Sequence, residues 1–244
     1  MPTLAGIFAL APPGVVSSIE TMLPKRIEAS LASHPSLVAA IDAGVRAIQI
    51  EQAASFYDEP HRHYHARAHI VEMFELAHYS GFALSAAQAL AVLFHDAIYV
   101  PGAPRGSNES MSAQLLRVYQ GSVPDPVIDL AYGIIVDTAD HMPRRDESQL
   151  VLDLDLIRLG APPAQFARYS GEVFEEQRPL IALDDDQSAR DFFESRRAPF
   201  FERLLARERI YCLPEFRARY EAQARRNMRA AIARVRAAGT RGTA

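Results

Sequence analysis

The chain has 244 residues, 49% of them hydrophobic and 23% charged, which is the balance of a globular protein with one core large enough to bury most of its apolar surface. Its single cysteine, Cys212, excludes an internal disulfide and a thiolate metal cage, and no run of 18 apolar residues offers a transmembrane helix. The net charge of −4 speaks against a protein that coats nucleic acid with its whole surface, although eight Arg against two Glu from Pro214 onward make that end +6 and leave −10 elsewhere.

Residues 1–25 read as a flexible or loosely docked tail. The apolar stretch LAGIFALAPPGVV over 4–16 carries two prolines and lacks the basic start of a signal peptide, and Met22 offers an alternative start. A cytoplasmic location is expected, consistent with the cysteine usage. From residue 26 to 238 a single helical domain is expected, followed by a disordered tail over 239–244.

Ile27, Leu31, Val38, Ile41, Val45 and Ile48 recur at helical spacing across 26–57, and Asp58-Glu59-Pro60-His61 reads as a turn. A helix from Arg62 to about Tyr79 would place His65 and His69 one turn apart on one face, beside Ile70, Met73, Phe74 and Ala77, with Gly81 as its stop. Residues 84–99 are apolar nearly all round, the signature of a buried helix, and His95-Asp96 falls near its C-terminal end.

After the loop VPGAPRGS over 100–107, Ser107 or Asn108 is expected to cap a helix that Gly121 ends. Asp125 is expected to cap the next, with Pro126 at its first position and Val127, Leu130, Ala131, Ile134 and Ile135 facing inward, a face that Thr138 and His141 continue. A further helix runs from Asp146 to Gly160. Long helical runs follow over roughly 186–211 and 214–237, with Pro163, Pro199 and Pro214 as breaks or starts. No period-2 strand and no internal repeat is visible, so the fold class is an all-α bundle.

Imidazoles and carboxylates in apolar surroundings carry the chemistry. His65 and His69 share a helix face. His95 precedes a carboxylate, Asp96, inside a buried helix, where a lone charge costs several kcal/mol and needs a cation or hydrogen-bond partner. Asp155 lies among Leu152, Leu156 and Leu159, and Asp153 among Leu150, Leu154 and Ile157, so periodicity alone leaves both open as a third donor. Mixed imidazole and carboxylate ligands suit Zn, Mn, Fe or Co better than Ca. His61 and His63 read as loop or surface residues. Tyr57, Tyr64 and Tyr99 read as packing, and the arginines from Arg217 to Arg236 as a solvated helix face.

The ordered set YHARAH, FHDAIY and LDLDLIRLG resembles the HD superfamily of metal-dependent phosphohydrolases, and the wider run RHYH, LFHDAIY, NES, DTADH and DLDLIRLG resembles a bacterial family of HD phosphohydrolases over about residues 57 to 228. The resemblance implies an HD-type helical bundle that holds one or two divalent ions (Mn, Fe, Co, Zn, Ni or Mg) on His69, His95, Asp96 and Asp155. It favours Asp155 because Leu154-Asp155-Leu156 matches the family's Ala-Asp-Leu context better than Asp153 does. The YHxxxH segment of cyclic-nucleotide phosphodiesterases, which resembles Tyr64 to His69 but carries Asn where this chain has Ala66, makes His65 the general acid. Asp96 would bridge to a second ion, and His141 and Glu109 would be accessory ligands or groups supporting them. Arg62, Arg67 and Arg105 would hold phosphate oxygens.

The implied reaction is hydrolysis of a phosphoester of a nucleotide or other small phosphorylated substrate. A non-catalytic metal- or nucleotide-binding regulator, or a di-iron oxygenase on the same fold, remains open beside it. Neither membrane nor nucleic acid is an expected partner; a homo-oligomer is compatible with the sequence.

Overall fold

A computed structural model describes residues 55–121 and 123–241. The sequence readings for the tail over 1–25, for the helical spacing before Ser55 and for residues 242–244 lie outside them. Every regular element among the described residues is helical. The chain divides into two compact units, residues 1–155 and 156–244. No helix among the described residues is long and apolar enough to cross a membrane.

In the first unit a short 3-10 turn, Phe56–Asp58, leads to α1 (Arg67–Tyr79), α2 (Ala86–Phe94), α3 (Ser107–Val118), α4 (Asp125–Thr138) and α5 (Ser148–Leu156), the last reaching one residue past the boundary. The buried helix α2 packs against α1, α3 and α4, and α3 packs on α4. Burial of Ala87, Ala89, Leu90, Ala91, Val92, Leu93 and Phe94 matches the unbroken apolar run that marks α2 in the sequence. Ser85 caps α2 reciprocally with Gln88: the Gln88 amide donates to Ser85 Oγ, and the Ser85 amide donates to Gln88 Oε1. Gln88 Nε2 also donates to the carbonyl of Glu147, just before α5, at 2.9 Å.

Several helix ends differ from expectation, each for a local reason. The helix expected from Arg62 begins only at Arg67, because Arg62 Nη1 takes up the His65 carbonyl at 3.0 Å and Ala66 is extended. His65 therefore lies in the irregular lead-in and not one helical turn from His69. The stop at Gly81 is as read: its φ of 80° lets the Gly81 and Phe82 amides close back on His78 and Ala77.

Neither Ser107 nor Asn108 caps α3. Gly106, at φ 82°, occupies the cap, and Asn108 pairs with both backbone groups of Val100 across the loop. At α4 the cap position is Pro124, with no side-chain cap bond. Asp125 sits inside the helix and accepts from Gln120 Nε2.

The second unit holds the 3-10 turn Ile157–Gly160, α6 (Pro163–Gln177), the 3-10 turn Arg178–Leu180, α7 (Asp186–Leu205), α8 (Pro214–Phe216), a π-helical turn Arg217–Glu221 and α9 (Ala222–Arg241). The helix expected from Asp146 to Gly160 thus starts at Ser148 and tightens to 3-10 geometry after Leu156. Pro163 and Pro214 open helices, as expected, but α7 runs through Pro199 and ends at Leu205. α7 packs on α9 and α6 on α7, with Phe174, Ile181, Ala189 and Phe193 forming one apolar cluster. Asn227 Nδ2 staples α9 to the carbonyls of Leu159 and Ala161 at 2.8 and 2.7 Å. Gly160 lies so close that an added Cβ would be 2.7 Å from Tyr220 Cβ and 3.1 Å from the Tyr220 carbonyl oxygen.

Candidate metal centre

Among the described residues, His69, His95, Asp96 and Asp155 each bring one donor atom into a group whose members all lie within 4.8 Å of one another. They come from three elements. His69 is the third residue of α1, His95 caps the C-terminus of α2 with Asp96 next to it, and Asp155 lies near the end of α5. Asp155, not Asp153, reaches the group. Two residues apart on a helix, the two side chains diverge, and the Asp153 carboxyl is fully buried elsewhere.

Asp155 is the hub. Its Oδ1 is 3.2 Å from His69 Nε2 and 3.7 Å from His95 Nε2, and its Oδ2 is 2.9 Å from His141 Nε2. His95 Nε2 is 3.0 Å from Asp96 Oδ2. The other His95 nitrogen, Nδ1, lies 3.0 Å from the Val92 carbonyl, which can only accept, so Nδ1 carries a proton. Nε2 is buried, faces two carboxylates and makes no hydrogen bond.

Those charges set the acidities. Burial by itself would push His95 down, but Asp96 and Asp155 together outweigh it and hold the imidazolium well above its ordinary range. Burial opposes ionisation of Asp96 and Asp155 too. His95 and His65 overcome it at Asp96, and hydrogen bonds from His141 and His69 with the charge of His95 overcome it at Asp155, so both stay well below the usual carboxylate range. Four donors, two imidazole and two carboxylate, with one buried ring nitrogen lacking a hydrogen bond, fit a divalent transition ion.

His65 lies in the lead-in to α1, stacked on Tyr99 with centroids 4.1 Å apart, and its charge helps hold Asp96 below the usual carboxylate range. Glu109, in the first turn of α3, faces the same charges. Its carboxyl is pushed up by burial and by Asp96 and Asp155, against a smaller pull from His141. His141 stands at φ 54°, in the left-handed region that side chains with a Cβ rarely adopt.

No family model, curated protein or solved structure matches the chain.

The arginines fare differently from the sequence expectation. Arg62 is buried and its guanidinium is spent on Glu59 and on the carbonyls of His65, Asp96 and Ala97, at 2.7–3.0 Å. It holds the backbone beneath the ligands, where no phosphate reaches it. Arg67 pairs through Nε and Nη2 with both oxygens of Asp58. Arg105 is exposed on the loop before α3.

Tyr57 is more than packing. Its hydroxyl donates to the Leu93 carbonyl at 2.8 Å and accepts from the Asp96 amide at 3.3 Å, tying down the end of α2. Neither anchor shows in periodicity, because Tyr57 and Arg62 lie in an irregular segment and bind backbone groups some 35 residues away. His63 is exposed, as read, while His61 lies half-buried beside the Tyr99 ring.

Proposed function

We propose that this chain is a metal-dependent phosphohydrolase of the HD type, hydrolysing a phosphoester of a small phosphorylated substrate such as a nucleotide. One observation carries the reading. Four ligand-type side chains from segments near residues 69, 95 and 155 converge in the interior, and His95 Nε2 points among the carboxylates without a hydrogen bond. Their order along the chain is the order in the resemblance that YHARAH, FHDAIY and LDLDLIRLG carry.

His69 and His95 through Nε2, and Asp96 and Asp155 through carboxylate oxygens, would hold the ion. When bound, a divalent ion supplies a water ionised near neutral pH, with its pKa lowered toward about 7, and polarises a phosphoryl oxygen. His65, at the edge of the cluster, gives the leaving oxygen its proton. Glu109, whose carboxyl burial and the charge of Asp96 hold above its ordinary range, takes up the proton that an attacking water gives off. Arg105 is the side chain left to meet a substrate phosphate, because Arg62 and Arg67 are engaged elsewhere.

Metal analysis of the untagged protein, followed by phosphate release from generic phosphoesters and a nucleotide panel, tests this. Stoichiometric transition metal with turnover supports it. Metal without turnover moves the chain to a binding role, iron loading with oxygen uptake moves it to oxygenation, and metal-free protein that binds no added Mn²⁺, Co²⁺ or Zn²⁺ removes the reading.

A further inference from the structure

The segment between α4 and α5, residues 139–147, brings His141 to the cluster, and it is closed by a buried carboxylate that does not touch the cluster. Asp137 is wholly buried near the end of α4. Its Oδ2 accepts from the Arg144 amide at 3.2 Å, from Arg145 Nη1 at 2.5 Å and from Ser148 Oγ at 2.5 Å, and its Oδ1 accepts from Arg144 Nη1 at 3.3 Å. Ser148 is the first residue of α5, so this one carboxylate joins the last turn of α4 to the start of the helix that carries Asp155.

Arg144 also grips Asp140 through both nitrogens, at 3.0 and 2.7 Å, and the Asp140 side chain accepts from the Met142 amide. His141 lies inside this closed turn. Its amide donates to the Thr138 carbonyl at 3.3 Å, and its φ of 54° is sustained by the turn around it. A residue held in that region costs on the order of 1 kcal/mol or more, and it persists where its surroundings over-determine it. The strain turns the imidazole so that Nε2 meets Asp155 Oδ2 at 2.9 Å.

Gly133, one turn before Asp137 on α4, gives the network its room. A Cβ there would lie 2.7 Å from Arg145 Cζ and 2.9 and 3.0 Å from its two terminal nitrogens. The arginine lies flat across a helix position that has no side chain.

We infer that Asp137, Arg145 and Gly133 are positioning elements of the metal centre, acting through the backbone of residues 139–147 to hold His141 on Asp155. The inference rests on the metal reading above. Positioning is separated from mere stability by whether the effect on ion binding depends on His141. Alanine is the better helix former, and the group it strikes is the far end of a flexible side chain, so α4 tolerates it while Arg145 leaves Asp137. Removing a group that supports a ligand typically weakens metal affinity about 10- to 100-fold.

Isothermal titration of the full-length, chelator-treated protein with Mn²⁺ and Co²⁺ gives the affinity, the visible absorption of bound Co²⁺ reports the ligand set, and thermal melting gives the stability. Gly133→Ala should stay folded, since Asp137 keeps Arg144 and Ser148, yet bind both ions about tenfold or more weakly, with an altered Co²⁺ spectrum. Arg145→Ala, which opens the same contact from the other side, should weaken binding likewise and serves if Gly133→Ala does not fold. In a His141→Ala background the effect of either change should vanish, because its route is gone.

Unchanged affinity and an unchanged spectrum in both single variants overturn the inference while the metal reading stands. The same loss persisting without His141 overturns it too. A parent protein that binds neither ion removes the metal reading and this inference together.

Discussion

Asp153 and Asp155 show how little separates a structural carboxylate from a functional one at the scale of a residue. Both interrupt a leucine run on one helix, and their hydropathy surroundings are nearly the same. Asp155 meets three imidazoles, with His69, His95 and His141 within 3.7 Å. Asp155→Asn should abolish metal retention, since the amide keeps the shape but cannot serve as an anionic ligand to three converging groups. Asp153→Asn should keep its metal and lose about 1–3 kcal/mol of stability, the cost of disturbing a buried polar group. Metal content by elemental analysis and denaturant titration separate the two, and an Asp155→Asn protein with full metal content would count decisively against the hub role. Asp96→Ala should likewise empty the site while leaving a folded, less stable protein, read by circular dichroism alongside metal content; it leaves the buried His95 without its nearest counter-charge.

At the scale of elements, what the sequence made legible follows the physics of each signal. The apolar run over 84–94 announces α2 because a helix buried on every side needs no polar face, and His95-Asp96 is legible at its end for the same reason. α1 is misjudged from its stripe of Ile70, Met73, Phe74 and Ala77, since Val71, Glu72, Glu75 and Leu76 are buried as well. Its start is misplaced because the Arg62 side chain takes the His65 carbonyl that the first turn needs. The Asp137 network stays hidden because its partners follow no period.

Pro199 is read as a break, yet α7 continues through it. A proline inside a helix removes the one amide donor that would meet the carbonyl four residues back, and the burial of Ala198 and Phe201 on either side holds the helix together across it. Gly160 is legible as a stop but not as a contact. In the second unit it lies against Tyr220 backbone and Cβ, atoms that cannot swing aside. Gly160→Ala should cost about 1–3 kcal/mol by overpacking with no change in metal stoichiometry, measured by urea unfolding and elemental analysis. A neutral effect on stability would show that the π-helical turn Arg217–Glu221 can retreat from the 3-10 turn without loss.

On the scale of the whole molecule, the cluster couples folding to protons, and a bound ion would couple it to metal with the opposite pH dependence. In the ion-free protein Asp96 and Asp155 have lowered folded pKa values, so they contribute stability above their unfolded pKa of about 3.9 and lose it as pH falls through their lower folded values. His95 is raised, so its contribution is complete below its unfolded pKa of about 6.5 and is lost as pH rises through its folded value. The ion-free protein therefore draws most from the cluster between about pH 4 and 6.5 and weakens on the alkaline side. A ligating His95 must give up its proton, so ion binding strengthens over the same alkaline interval.

A ligand that binds only the folded state adds about 2.7 kcal/mol at a hundredfold excess over its dissociation constant. The melting-temperature drop on adding a chelator should accordingly be small near pH 5.5 and grow steadily toward pH 8. Titration in buffers of different ionisation enthalpy should show about one proton released per ion near neutral pH. A chelator effect of the same size at both pH values, with no proton released, would mean that the ion is held away from His95, and the cluster would then be an ordinary buried charge network.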